Sequence, residues 1–107
     1  MCGIFGYIGS QPVCPLLIRG LERLEYRGYD SVGISVATTS GLQTVKRAGR
    51  VKILQGALEI VAPEGFIGIA HTRWATHGEP SVRNAHPHTD CQNKIAVVHN
   101  GIIDNYQ

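Results

Sequence analysis

With 107 residues, 43% of them hydrophobic and 17% charged, the chain is sized for a single domain with a modest core and is too apolar to be read as disordered. A net charge of +2 is too small to argue for nucleic acid or an anionic membrane surface as a partner. Cys2, Cys14 and Cys91 leave an odd count with no Cys-x-x-Cys, so no disulfide framework is expected and a reducing cytoplasm is the default location.

Cys2 directly follows the initiator methionine. Removal of Met1 would leave one residue carrying both a thiol, reference pKa about 8.5, and an α-amine near 7.7–8.0. An amine in that range can serve as base to a neighbouring nucleophile near neutral pH. The plainer reading is a small buried residue at the head of a strand. No basic region followed by a long apolar run marks a signal peptide, and no apolar stretch is long enough to span a bilayer. Residues 3–8 read as a strand, with Gly3, Gly6 and Gly9 permitting close approach of other backbone. From residue 13 to about 25 the period changes: Cys14, Leu17, Leu21 and Leu24 recur at steps of three and four, which predicts an amphipathic helix with prolines at its start.

Residues 31–38 and 42–48 alternate and are joined by Thr39-Ser40-Gly41, which predicts a hairpin. Ile53, Leu54, Ala57, Leu58 and Val61 return to helical spacing, and residues 66–72 read as a nearly uncharged strand. The polar stretch 76–92 is expected to be a long loop, of the kind that is functional or mobile. Residues 94–99 read as another buried strand, and 102–107 as the opening of a helix. The order of elements suggests an α+β layered fold, and the stop in an apparent first helical turn suggests a longer parent.

Four stretches hold residue types that could carry chemistry. His71 to Gly78 places Arg73, a fork suited to a carboxylate, with Thr76 and His77 where a strand emerges. Asn100 and Gly101 can aim a side-chain and a backbone N–H at one point, as an oxyanion hole does; Asn-Gly is equally a common tight turn. Asn84, His86, His88 and Cys91 include potential zinc ligands but fit no standard zinc spacing, so no metal and no cofactor is expected. Residues 25–31 combine Glu25, Tyr26, Arg27, Tyr29 and Asp30 in a connection that reads either as a structured loop near a site or as a helix cap and turn.

Five segments occur in sequence: Met-Cys-Gly-Ile-Phe-Gly-Tyr-Ile-Gly, Arg-Leu-Glu-Tyr-Arg-Gly-Tyr-Asp-Ser, His-Thr-Arg-Trp-Ala-Thr-His-Gly, Asn-Ala-His-Pro-His and His-Asn-Gly-Ile-Ile-Asp-Asn-Tyr. Together they closely resemble the N-terminal glutaminase domain of the glutamine:fructose-6-phosphate amidotransferase (glucosamine-6-phosphate synthase) family, over essentially all of residues 2–107. Amidophosphoribosyltransferase is the nearest alternative within the class II amidotransferases, but Tyr29 and Trp74 stand where it usually carries Gln and Tyr. The resemblance implies an N-terminal-nucleophile (Ntn) fold of four αββα layers. It implies that Cys2, with its free α-amine as base, attacks the glutamine side-chain amide, releasing ammonia and leaving a γ-glutamyl thioester. Asn100 and the Gly101 amide would hold the oxyanion, Arg73 the glutamine α-carboxylate, and Thr76 and His77 the pocket wall. Trp74 would sit on a closing loop and Arg27 near Cys2.

Further implications reach outside residues 1–107. The acidic residue that binds the substrate α-amine, the rest of the glutaminase domain and the isomerase domains that bind fructose 6-phosphate would all lie beyond them. The parent would be a cytoplasmic homo-oligomer. Residues 1–107 alone are accordingly expected to show little or no activity. Rival readings are another class II amidotransferase, a non-catalytic fragment that only binds a partner or glutamine, and, most weakly, a zinc module.

Overall fold

A computed structural model describes residues 2–74, 78–105 and 107. Strands β1 (Gly3–Ile8), β2 (Ser31–Thr38), β3 (Gly41–Ala48) and β4 (Ile67–Arg73) form one sheet in the order β1-β4-β2-β3, antiparallel at every pairing. Helices α1 (Val13–Leu24) and α2 (Val51–Ile60) complete the main body. A two-stranded ribbon, β5 (His88–Thr89) with β6 (Ala96–Val97), follows.

The register divides the sheet into two chemically different faces. Phe5, Ala70, Ile34 and Val45 lie in one row across the four strands. Alternation carries that row's face through Val32 and Val36, and both helices cover it. Val13, Leu17 and Leu21 of α1 and Leu54 of α2 reach zero exposure against these strands. Each such side chain contributes about 1.5–3 kcal/mol relative to an exposed position. Gly20 belongs to this contact, since a Cβ there would run into the Phe5 ring.

The next row, Ile4, His71, Gly33 and Lys46, faces the other way. Here the 84–88 segment lies directly on the sheet. A Cβ on Gly33 would collide with the His86 carbonyl, and Lys46 Nζ donates to the Ala85 carbonyl at 2.9 Å. Away from that segment the face is open: Ile4, Ile8 and Ile67 remain 44%, 77% and 48% exposed.

Helix ends are satisfied by distant groups in place of local caps. Val13 N–H donates to the Gly65 carbonyl at 2.9 Å. Val51 N–H donates to Glu25 Oε2 at 2.8 Å, which places a carboxylate at the positive end of α2. Glu25 sits in a single 3-10 turn, Glu25–Arg27, so the connection between α1 and β2 anchors α2 as well as the site described next.

The predicted β1, α1, β2–β3 hairpin, α2 and β4 are all present, within two residues at each end. The C-terminal expectations need correction. Of the strand expected over 94–99, only Ala96 and Val97 pair, and Ile95 and Val97 stay 62% and 53% exposed. The 76–92 stretch is not all loop, since β5 lies within it. No helix forms over the described residues of 102–107, where only a turn at Asp104 and Asn105 occurs. Ile102 and Ile103 are each 54% exposed, so no packed face offsets helix nucleation there. Among the described residues, no helix is long and apolar enough to cross a membrane.

Candidate active site

Cys2 sits at the edge of β1 where β4 ends, because Gly3 pairs with Thr72. Its Sγ accepts the Trp74 backbone N–H at 3.4 Å and lies 3.8 Å from the Trp74 carbonyl. Its own carbonyl accepts two side-chain donors, Arg27 Nε at 3.3 Å and Asn100 Nδ2 at 3.1 Å. Residues 27, 74 and 100 thus converge on residue 2 from three parts of the chain. A cavity of about 250 Å³ opens beside them, lined by Cys2, Arg73, Trp74, Asn84, His86 and Gly101 among others. That is just below the span of about 300–1,000 Å³ usual for drug-sized ligands, and so suited to a small metabolite.

The supporting connection is tightly fitted. A Cβ on Gly28 would come within 2.7 Å of the Arg73 carbonyl carbon and 2.8 Å of the Trp74 nitrogen. Asp30 N–H donates to the Arg73 carbonyl at 3.1 Å. Tyr29 meets Trp74 edge to face at 5.5 Å, and the Arg50 guanidinium lies 4.7 Å above the Tyr29 ring, within cation–π range. Residues 25–31 therefore form a structured loop against the site; the helix-cap-and-turn alternative describes only their first three residues.

Arg73 lines the cavity but is 7% exposed. Its Nη1 donates to the Glu79 carbonyl at 3.0 Å and its Nη2 to the Gly78 carbonyl at 3.3 Å. Asn84 Nδ2 donates to the same Glu79 carbonyl at 2.9 Å. Gly101 adopts φ +140°, a conformation that disfavours any side chain; a Cβ there would also press on the His99 ring at 3.1 Å. Thr76 and His77 lie outside the described residues.

Three imidazoles stand in a column at the cavity, with His86 and His88 in its lining. His71 and His86 stack at 4.2 Å with 25° between ring planes, and His88 is 4.3 Å from His86. Burial, followed by the neighbouring histidines and Arg73, pushes the His86 imidazole down to about 3. Burial also lowers His71, against opposing hydrogen bonds, and lowers His88. Among the described residues, no group of three or more His, Cys, Asp or Glu is arranged to hold a metal ion.

The column makes the fold acid-sensitive. The unfolded chain takes up protons on these imidazoles near 6.5, whereas folded His86 does so only near about 3. The unfolded state therefore binds more protons between those values, and stability falls as pH drops through the window. Urea midpoints should decrease from about pH 7 to about pH 4, and His86→Phe, which keeps a ring in the stack, should flatten that slope.

The other cysteines have no such setting. Cys14 is buried with its Sγ donating to the Pro63 carbonyl at 3.2 Å, and burial raises its pKa, which keeps it a thiol. It borders a larger cavity, about 690 Å³, at the far end of the sheet, remote from Cys2.

The motifs at 71–74 and 99–101 come together around Cys2, as does Arg27. Residue types and spacing alone assign no role to His71 or to the Trp74 backbone N–H. Strand alternation carried a usable signal for His71, since positions 71 and 73 must share a face.

The antiparallel sheet with its two helices is an α+β fold that is also found in a glutamine amidotransferase. The glutamine phosphoribosylpyrophosphate amidotransferase of B. subtilis superposes with a TM-score of 0.69 at 24% identity, covering 87% of this chain and 20% of that one. In sequence the chain is similar to the glutamine–fructose-6-phosphate aminotransferases [isomerizing]. The Tropheryma whipplei enzyme is 56% identical over 98% of this chain, that of Gloeobacter violaceus 55% over 99%, and that of Synechocystis 56% over 100%. The chain spans about 17–18% of the length of these curated relatives. No family model matches it.

Proposed function

We propose that residues 2–107 are the N-terminal part of a class II glutaminase domain, and that the protein carrying it supplies ammonia from glutamine for glucosamine 6-phosphate synthesis. The observation that carries this reading is the convergence of Arg27, Trp74 and Asn100 on Cys2 beside a small cavity. Cys2 Sγ attacks the glutamine side-chain carbonyl carbon as the α-amine, free once Met1 is removed, accepts the thiol proton. The tetrahedral oxyanion is held by the Asn100 amide and the Gly101 N–H. Collapse expels ammonia with that proton and leaves a γ-glutamyl thioester. Water then hydrolyses the thioester, giving glutamate and the free thiol.

Arg73 takes the substrate α-carboxylate. Its guanidinium donates to the carbonyls of residues 78 and 79, and glutamine engages it by exchanging one of those bonds. Fructose 6-phosphate is the acceptor elsewhere in a longer, cytoplasmic, oligomeric protein; the 56% identity to enzymes named for that sugar supports it over a phosphoribosyl acceptor.

The test is glutamate formation from glutamine by the chain and by Arg73→Lys. A point charge in place of the bidentate fork should raise KM about 10–100-fold while kcat changes little. Equal KM values in both proteins would remove Arg73 from the substrate contact.

A further inference from the structure

We propose that His71 is a positioning residue that aims the Asn100 amide at Cys2, with His86 holding it in place from behind. This rests on the glutaminase reading for its consequence, though not for its geometry.

Asn100 is exposed and lies outside any strand or helix. No regular backbone ladder fixes its side chain, and a carboxamide can present either its oxygen or its NH₂ group in the same space. The structure selects one arrangement. Asn100 Nδ2 points to the Cys2 carbonyl at 3.1 Å, while Oδ1 faces His71 Nε2 at 2.9 Å. Since Oδ1 can only accept, His71 Nε2 carries the hydrogen. Turning the amide over would set Oδ1 against the Cys2 carbonyl and Nδ2 against a ring N–H, two repulsive contacts in place of two hydrogen bonds. With its hydrogen on Nε2, His71 joins the Cys2 carbonyl in fixing which group of Asn100 stands beside the nucleophile.

His71 can do this because it is itself immobile. It is 1% exposed within β4, opposite Ile4 on one side and Gly33 on the other. His86 stacks on it at 4.2 Å, and His86 Nδ1 accepts the His99 backbone N–H at 3.3 Å. That bond requires His86 Nδ1 to be unprotonated, so the neutral ring carries its hydrogen on Nε2. His86 therefore holds the backbone of residue 99, and His71 holds the side chain of residue 100 while also meeting the backbone of residue 99. Gly33 leaves the room in which the His86 backbone rests on the sheet. A chain of contacts runs from Gly33 through His86, His71 and Asn100 to Cys2, and none of its first three members reaches the nucleophile directly.

Two variants separate positioning from mere packing. His71→Phe keeps a ring in the stack and loses the donor; His71→Gln loses the ring and keeps a donor near the Nε2 position. The Asn100 side-chain amide is followed by ¹H–¹⁵N NMR, and His71 and His86 tautomers by long-range ¹H–¹⁵N correlation, alongside kcat and KM for glutamine. The expected result is hydrogen on Nε2 of both rings in the unmodified chain. His71→Phe should shift the Asn100 amide pair and speed its solvent exchange, and lower kcat at least about tenfold with KM within about threefold. His71→Gln should restore both readouts.

An Asn100 amide unchanged in His71→Phe, or a His71→Gln variant as impaired as His71→Phe, would overturn the proposal. Should a longer protein carrying residues 1–107 show neither turnover nor Cys2 labelling, the glutaminase reading fails, while the NMR comparison still decides whether His71 orients Asn100.

Discussion

Replacing Cys2 by alanine should reduce glutamate formation from glutamine to the uncatalysed background, a loss of at least about 10³-fold. The effect is this large because no other thiol can substitute. Cys14 is buried against the Pro63 carbonyl and held as a thiol, and Cys91 is exposed in the 90–93 turn outside the cavity. The alanine variant should nonetheless fold, since the bonds that Arg27 and Asn100 make to residue 2 go to its backbone carbonyl. An unchanged thermal midpoint with abolished turnover is the expected pair of observations. Residual turnover of even a few per cent would point to a nucleophile other than Cys2.

Asn100→Ala is the second large effect. Removing one oxyanion donor typically lowers kcat about 10²–10³-fold. KM should move far less, because the developing negative charge exists in the transition state and not in bound glutamine. Asn100→Ala also leaves His71 Nε2 without its acceptor, a buried donor unpaired at a cost of about 1–3 kcal/mol. A small drop in stability should therefore accompany the loss of rate. A KM increase with kcat unchanged would mean that the amide binds ground-state substrate and is no oxyanion donor.

Much of the fold was legible in the sequence because its signals are local. Alternation over 31–38 and 42–48 predicts a hairpin, and the structure pairs Ser31 with Ala48 through Thr38 with Gly41. Helical spacing from Cys14 to Leu24 predicts α1, and Leu17 and Leu21 of that stripe reach zero exposure. The failures lie where an apolar pattern has nothing to pack on. Ile95 and Val97 look like core residues of a strand, yet only two residues of that segment pair, and the apolar residues remain largely exposed. Ile102 and Ile103 border the cavity and do not seed a helix.

The site was legible in part for a different reason. Cys2, Arg73 and Asn100 belong to motifs whose residue types declare chemistry. Their meeting depends on the pairing of β1 with β4, which brings residue 2 beside residue 74 across 72 positions of chain. The role of His71 escaped because a histidine inside an apolar strand reads as a core residue until its partner is known. That partner, Asn100, is 29 positions away in a segment with no regular structure to locate it. Arg73 was recognised as a carboxylate fork, but its present bonds to residues 78 and 79 are a loop property that no spacing rule reveals.

The central claim is that Cys2 is the nucleophile of a glutamine pocket to which these residues contribute. Intact mass after incubation with the glutamine-like electrophile 6-diazo-5-oxonorleucine, with and without competing glutamine, tests it most directly. The account predicts loss of Met1 and a single adduct that maps to Cys2 and is suppressed by glutamine. No adduct, or adducts spread over Cys2, Cys14 and Cys91 regardless of glutamine, would contradict it.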